Sequence, residues 1–327
     1  MPKKYDTTVL GLVVLDILGR PVSKIPDGGN LAYIDELRLT VAGTAGGTVI
    51  DCAKLGVSTL GVGAVGDDEK ADFVISTLEK FGVDTIGFER LKGIPTSSTI
   101  LNIRPNGERP ALHLRGACDY FLPPEKEKVD IYDCKVFHLG GTGLLKKLDG
   151  PVSVNILKEA KSRGCITTWD LIGATEETAS IVDPLLPYID YFMPSIEEAS
   201  IMCGLEKPED VAKYYLDGGV KNCVLTMGGE GSLFMNKDNK IITPAFDINV
   251  VDTSACGDAF DAGMIVALIK EMDIETSLKF ATITSGLVAT GLGSDAGIVN
   301  FEDCIDCLLY TSPSPRDLST SRMPSSA

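Results

Sequence analysis

Val250-Val251-Asp252-Thr253-Ser254-Ala255-Cys256-Gly257-Asp258-Ala259-Phe260-Asp261-Ala262-Gly263 is the stretch on which the reading turns. An extended run ends at Asp252, small residues make a turn, and an apolar helix follows to about Ile269. Thr253 or Ser254 has the side chain to cap that helix. Ala255, Cys256 and Gly257 are small, so an anion can approach their backbone N–H groups closely, and the helix dipole adds partial positive charge at the same point. Asp258 lies just inside this turn. A carboxylate there opposes a bound phosphate. It is either an ordinary first-turn acid or a group with a task, such as taking a proton from an attacking hydroxyl.

Upstream, short apolar β-branched runs alternate with longer amphipathic ones. Val9–Leu15, Thr59–Val65, Lys135–Leu139, Cys165–Asp170, Tyr188–Met193 and Cys223–Met227 read as strands. Helical periodicity covers Thr44–Leu55, Glu69–Phe81, Val152–Ser162, Glu176–Val182, Ile196–Cys203 and Glu209–Leu216. The rhythm predicts a mostly parallel sheet covered on both faces. Two β-rich excursions interrupt it, about 18–41 and about 96–115. The second holds Pro105-Asn106-Gly107-Glu108, where Asn-Gly favours a tight hairpin. Together they read as a small sheet over one edge of the body, a lid.

Gly61-Val62-Gly63-Ala64-Val65-Gly66 matches the dinucleotide fingerprint G-x-G-x-x-G, with Glu89 about 20 residues on. Asp67-Asp68-Glu69 argues against it, because carboxylates at that helix start would repel a pyrophosphate. Gly61 and Gly63 read instead as small residues inside a strand.

Asp252-Thr253-Ser254-Ala255-Cys256-Gly257-Asp258-Ala259-Phe260 resembles the D-T-x-G-A-G-D-x-F signature of the ribokinase-like (PfkB) carbohydrate kinases, and the resemblance runs over about residues 6–308. Ala42-Gly43-Thr44-Ala45-Gly46-Gly47 resembles the family's substrate loop, and Val65-Gly66-Asp67-Asp68 its V-G-D-D. Pro194-Ser195-Ile196-Glu197-Glu198-Ala199 is similar to P-N-x-x-E-A, and Thr226-Met227-Gly228-Gly229-Glu230-Gly231 to the T-x-G-x-x-G nucleotide loop. The resemblance implies a three-layer α/β/α sandwich with a mostly parallel central sheet and a small β-sheet lid, formed by residues 1–309. It implies transfer of the ATP γ-phosphate to a hydroxymethyl group of a sugar. Asp258 is then the general base, and the amides of Ala255, Cys256 and Gly257 form the anion hole. Asp16, Gly43, Thr44 and Gly47 line the sugar site; Thr226, Gly228, Gly231 and Ser195 serve the nucleotide. Glu198 acts on Mg2+ through water, and Asp252 marks a candidate K+ site. Four positions depart from the family: Ala255-Cys256 replaces Gly-Ala, Ser195 replaces Asn, and Gly47 replaces an Asn that contacts sugar hydroxyls. The last leaves the acceptor open. A nucleoside kinase would need a base pocket from Tyr33, Tyr120 or Phe121. A phosphosugar kinase would need Arg20, Arg38, Arg104, Arg109 or Arg115 turned to substrate. Intact Asp258, Gly257 and Glu198 argue against a non-catalytic sugar or nucleotide sensor.

The chain of 327 residues carries a formal charge of −16, which excludes phosphate-tracking nucleic-acid binding and anionic-membrane binding as expectations. No apolar run approaches the roughly 18 residues a membrane span requires. Nine scattered cysteines and no signal-like N-terminal run predict a reduced, cytoplasmic protein. Gly reaches 34, about 10% against an average near 7%, and the loops above account for much of the surplus. A homodimer through the lid is what the resemblance suggests for assembly. Residues 310–327 are rich in Ser and Pro, resemble translated adapter sequence, and are expected to be disordered. Cys304 and Cys307, His113, His138 and Trp169 read as structural.

Overall fold

The computed structural model describes residues 3–106 and 108–310. Tyr5–Gly11 (β1) is a central strand, with Val9 buried on one face and Leu10 on the other. At Gly11 φ is +149°, and a Cβ would stand 1.8 Å from the Gly140 carbonyl oxygen, so the chain passes there only as glycine. It leaves the sheet, and Val14–Arg20 (β2) opens a second one with Glu36–Ala42 (β3). The apolar run 9–15 is therefore not one strand. It is the end of one and the start of another, both buried, which hydropathy cannot separate.

Thr44–Lys54 (α1) returns the chain to the main body, followed by Thr59–Val65 (β4), Glu69–Lys80 (α2) and Asp84–Arg90 (β5). Gly61 and Gly63 face Phe88 of β5, where added Cβ atoms would stand 2.9 and 3.1 Å from the ring. They are packing glycines, not a pyrophosphate loop. Asp68 caps α2 through the Ala71 N–H at 3.1 Å and also accepts from the Thr96 N–H at 3.0 Å, tying the main body to the second sheet. Ser98–Asn102 (β6) and Ala111–Leu114 (β7) complete that sheet in the order β3-β2-β6-β7.

The body continues with Cys134–Thr142 (β8), Pro151–Ser162 (α3), Ile166–Leu171 (β9) and the short Ala179–Val182 (α4). The helix read over 176–182 begins as a 3-10 turn, Glu176–Thr178. The strand read over 188–193 shrinks to Tyr191–Phe192 (β10), because Pro187 sits in a 3-10 turn, Leu186–Tyr188, just before it. Ile196–Cys203 (α5), Pro208–Asp217 (α6) and Asn222–Thr226 (β11) follow. An antiparallel hairpin of Ser232–Met235 (β12) and Lys240–Thr243 (β13) then extends the sheet. Cys256–Ile269 (α7), Ile274–Ala289 (α8) and Phe301–Tyr310 (α9) close the chain. β5, the β12–β13 hairpin and α8 go beyond the sequence reading. Tyr310 ends α9, and the rest of the expected tail lies outside the described residues.

The nine-stranded sheet runs β13-β12-β11-β10-β9-β8-β1-β4-β5, parallel from β11 to β5. One face packs on α3, α5 and α6 through Leu157, Ala199 and Val211. The other packs on α1, α2, α7 and α8 through Ile50, Leu78, Ile265 and Phe280. Trp169 stacks on Phe192 at 4.6 Å and is core, its Nε1 donating to Thr142 at 2.9 Å. The structure is thus three layers with a small second sheet. No helix among the described residues is long and apolar enough to cross a membrane.

Candidate active site

The carboxyl ends of parallel strands are where open α/β sheets gather ligands. Asp170 at the end of β9, Ser195 after β10 and Thr226 at the end of β11 lie there, and the start of α7 joins them through the charges described below. Ala255, not Thr253 or Ser254, is the residue before α7, and its φ of 58° is left-handed. Ser254 turns away from the helix: its N–H and hydroxyl donate to Asp252 Oδ1 at 2.9 and 2.7 Å. The small residues follow in the first turn; an added Cβ on Gly257 would meet nothing within 4 Å, so the turn is open on that side, while the Cys256 N–H donates to the Thr253 carbonyl at 3.5 Å. Burial pushes the Cys256 thiol up to about 11, so it stays a thiol at neutral pH.

Asp252 does not suit a potassium ion here. Besides Ser254, its Oδ1 accepts from Arg109 Nη1 at 3.0 Å, and its Oδ2 accepts from the Gly293 N–H at 3.1 Å. A guanidinium already stands at the carboxylate. Arg109 also donates to the Ser254 hydroxyl.

Asp258 is buried on α7, and α1 lies against it. A Cβ on Gly47 would fall 2.6 Å from Asp258 Oδ2, so the missing side chain at position 47 is what leaves room for this carboxylate. Thr48 hydroxyl donates to the Asp258 carbonyl at 3.1 Å and locks the two helices together. Gly43, at φ +86°, starts α1 where a Cβ would hit the Leu12 carbonyl oxygen at 2.5 Å. Thr44 follows it, and its buried hydroxyl has no partner. Burial, then the charges of Asp16 and Glu198, raise Asp258 to about 7.

Asp16 comes from β2. Register aligns it with Thr40 on β3 and Thr99 on β6, and Thr99 with His113 on β7, so one polar row crosses the small sheet. Thr99 hydroxyl and His113 Nδ1 are 3.1 Å apart. Asp16 Oδ1 is buried without a donor. Burial raises Asp16 to about 6, opposed by a hydrogen bond from Thr99 and helped by the charge of Asp252. Thr99 is absent from the sequence reading; only strand pairing reveals it.

Glu198 on α5 accepts from the Ser195 hydroxyl at 2.8 Å through Oε2 and from the Gly173 N–H at 3.1 Å through Oε1. Burial raises it above the usual carboxylate range. Asp170 is pushed far up by burial and then by the charges of Glu198 and Asp258. Buried Asp51 and Asp261 are likewise raised by burial; no donor reaches Asp51, whereas Asp261 shares a carboxyl–carboxyl hydrogen bond with Asp170. These three acids are absent from the site residues read from sequence, because local patterns do not show that carboxyls from β9, α1 and α7 are buried near one another. Glu198 is half-buried and its site is strongly acidic, which suits a divalent cation. No group of three His, Cys, Asp or Glu side chains among the described residues forms a complete metal cluster, so such an ion would depend on other oxygens as well.

Thr226 ends β11, and a 3-10 turn, Gly228–Glu230, leads to Gly231, whose carbonyl accepts from the Met227 N–H at 2.8 Å. Beside this turn opens a cavity of about 800 Å³ lined by Met227, Gly228, Gly229, Ile242, Pro244 and Ala245, among others. The alternatives fare less well. Tyr33 is 89% exposed, Phe121 is core at 1%, and Lys147 covers the Tyr120 ring, so no aromatic base pocket forms from them. All five arginines are ion-paired: Arg20 with Glu36, Arg38 with Asp295, Arg104 with Glu108, Arg109 with Asp252 and Arg115 with Asp119.

Residues 6–299 match the model of the pfkB family carbohydrate kinases. A deoxyribokinase of Salmonella typhi is 25% identical over 309 residues, 91% of this chain and 96% of that one. A ribokinase of Arabidopsis thaliana, solved with ribose and ATP, shares the fold at a TM-score of 0.80 and 21% identity, covering 95% of this chain and all 100% of that one. A protein described as ribokinase II of E. coli, solved with ATP and Mg2+, matches at 0.81 and 20%, covering 94% and 99%. A nucleoside kinase of Methanocaldococcus jannaschii also shares the fold, at 0.78 and 20% over 94% and 99%. The match covers both sheets and every site segment described above, and on it the chain belongs to the pfkB family of carbohydrate kinases, phosphotransferases that act on a sugar hydroxyl.

Proposed function

We propose that this kinase phosphorylates the hydroxymethyl group of a small, uncharged sugar, with ATP as donor and Asp258 as general base. The observation that carries the reading is the pair Asp16 and Asp258: a half-buried carboxylate on β2 of the small sheet and a buried one on α7, the charge of the first acting on the second, and the first with an oxygen that no donor satisfies. A buried acceptor without a donor is costly, and a polyhydroxyl ligand supplies the donors. The paired arginines favour a neutral acceptor over a phosphorylated one.

Asp16, with Thr99 beside it, would hold sugar hydroxyls at the polar row of the small sheet. Asp258 would take the proton of the attacking hydroxyl, the α7 dipole and the amides of Ala255, Cys256 and Gly257 would stabilise charge on the transferring group, and closure of the small sheet as a lid would keep water out. The cavity beside Gly228 would take the nucleotide base, with Thr226, Gly231 and Ser195 shaping its approach to the turn. Mg2+ bound with the nucleotide supplies neutralising charge at the phosphate oxygens, and Glu198 would hold it there through water. The outer face of the small sheet, opposite the polar row, would join a second copy.

ADP release should be measured across pentoses, hexoses, inositols, nucleosides and phosphosugars. A neutral sugar should lead. Asp258→Asn should lower kcat by about 10²–10⁴-fold with KM little changed. In the native enzyme kcat/KM should rise with pH through about 7, as Asp258 ionises. Near wild-type turnover of Asp258→Asn, or a flat profile, would sink the assignment.

A further inference from the structure

We infer that Arg109 takes the position of a monovalent cation beside the turn of Asp252–Gly257, so that the small sheet, and not an ion, sets this turn. The inference rests on the kinase reading above, since it concerns the turn proposed to hold phosphate.

The side chain of Asp252 is only 2% exposed, and its ion pair with Arg109 spans 3.0 Å. A buried carboxylate needs a counter-charge, and losing it leaves an uncompensated anion next to the anion hole. The negative charge of Asp16 acts against that of Asp252, which makes the need greater. Arg109 meets it from the connection between β6 and β7, outside the main body. A second guanidinium works on the adjoining loop. Arg38 on β3 donates to the Leu292 carbonyl and pairs with Asp295 at 2.7 Å. Between them the Gly293 N–H donates to Asp252 Oδ2 at 3.1 Å. Three oxygens of the turn and the adjoining loop, Asp252 Oδ1, the Leu292 carbonyl and Asp295 Oδ1, are therefore each covered by one of two arginines from the small sheet and its β6–β7 connection. Covalent attachment of the positive charge to the lid has a consequence an ion cannot provide. Opening the sheet withdraws the charge from the turn, and closing it restores it, so the anion hole is completed only when the acceptor site is covered.

The test compares the native enzyme with Arg109→Ala and Arg109→Lys in KCl and in tetramethylammonium chloride at equal ionic strength. One readout is the thermal unfolding midpoint without substrates; the other is ADP release with ATP, Mg2+ and D-ribose. The native enzyme should behave alike in both salts. Arg109→Ala should lose roughly ten- to hundredfold in kcat in tetramethylammonium, the scale of a charge-assisted hydrogen bond. It should recover much of this in KCl, and its midpoint should rise there by about 2 °C or more as K+ enters the vacated position. Arg109→Lys should restore indifference to the salt. The inference is overturned if the native midpoint or rate depends severalfold more on K+, or if Arg109→Ala is equally affected in both salts, which would make the pair structural only. The unfolding arm needs no phosphoryl transfer. Its result therefore judges this inference even if ribose is not the acceptor, while failure of every acceptor would count against the kinase reading alone.

Discussion

Gly47 is a residue at which this chain departs from the family motif it resembles, and the structure gives a steric reason. Any side chain there would begin 2.6 Å from Asp258 Oδ2, closer than a Cβ tolerates. The absence of a side chain at position 47 thus makes room for the Asp258 carboxylate, the group proposed as the base. Gly47→Ala should already displace the Asp258 carboxylate and lower kcat by about tenfold, and Gly47→Asn by about 10² or more, misplacement near the chemistry being costly. The comparison of kcat with KM, together with circular dichroism to check folding, decides the matter: an active Asn variant would show that Asp258 can rest elsewhere. Position 47 was legible in the sequence as unusual, but its effect was read on the substrate. The true neighbour, Asp258, lies on a different helix far along the chain, and no local pattern announces that approach.

The small sheet has two unlike faces, and alternation explains how. Thr40, Asp16, Thr99 and His113 align on one face; one residue along, Leu39, Ile17, Ile100 and Leu112 align on the other. Leu39, Ile100 and Leu112 are 42%, 44% and 64% exposed, an apolar row that a second copy could cover. Leu112→Glu should convert a dimer to a monomer in sedimentation or light scattering while leaving the unfolding midpoint within about 2 °C, because an exposed position costs the monomer little. A native enzyme that is already monomeric would refute the assembly proposal. The two β excursions were legible because turn residues and period-two alternation mark their ends. Thr59–Val65 and Ile196–Cys203 matched to the residue because their flanks are marked: Gly56 and Gly66 lie around the fully buried strand, and Ser195 caps the helix that Gly204 ends at φ 70°. What stayed hidden depended on pairing across the chain. The split of residues 9–15 follows from the approach of Gly11 to Gly140, and the tie of Arg109 to Asp252 spans 143 positions. An arginine in a hairpin reads from sequence as solvent-facing or substrate-facing, and nothing nearby identifies a buried partner.

At the scale of the whole molecule, the site is an anionic centre in a protein that is already at −16, and the fold carries its cost as a pH dependence. Asp16 and Asp149 are raised to about 6 and Asp258 to about 7, chiefly by burial, while Asp51, Asp170 and Asp261 lie well above their usual range. In the unfolded chain these carboxyls ionise near 3.9. Between about pH 4 and 7 the folded state therefore binds more protons than the unfolded state, and stability falls as pH rises. The opposite group, Asp6, Asp68, Asp130 and Asp190, is held low by its partners. Its stabilisation is complete above the unfolded carboxylate range and is lost only in more acidic solution, so it does not mask the trend. The ligand-free enzyme should accordingly unfold at a higher temperature at pH 5.5 than at pH 8. Asp258→Asn should flatten part of that slope, since an amide binds no proton, and should raise the midpoint at pH 8 relative to the native enzyme. A midpoint that climbs from pH 5.5 to 8 in the native enzyme would mean that these acids are paired in solution. The same variant would then lower stability instead of raising it. The expected signs link function to stability: the carboxylates that favour catalysis by being buried and ionised are those whose ionisation weakens the empty fold, and substrate hydroxyls with a phosphate-bound cation are the partners that would relieve them.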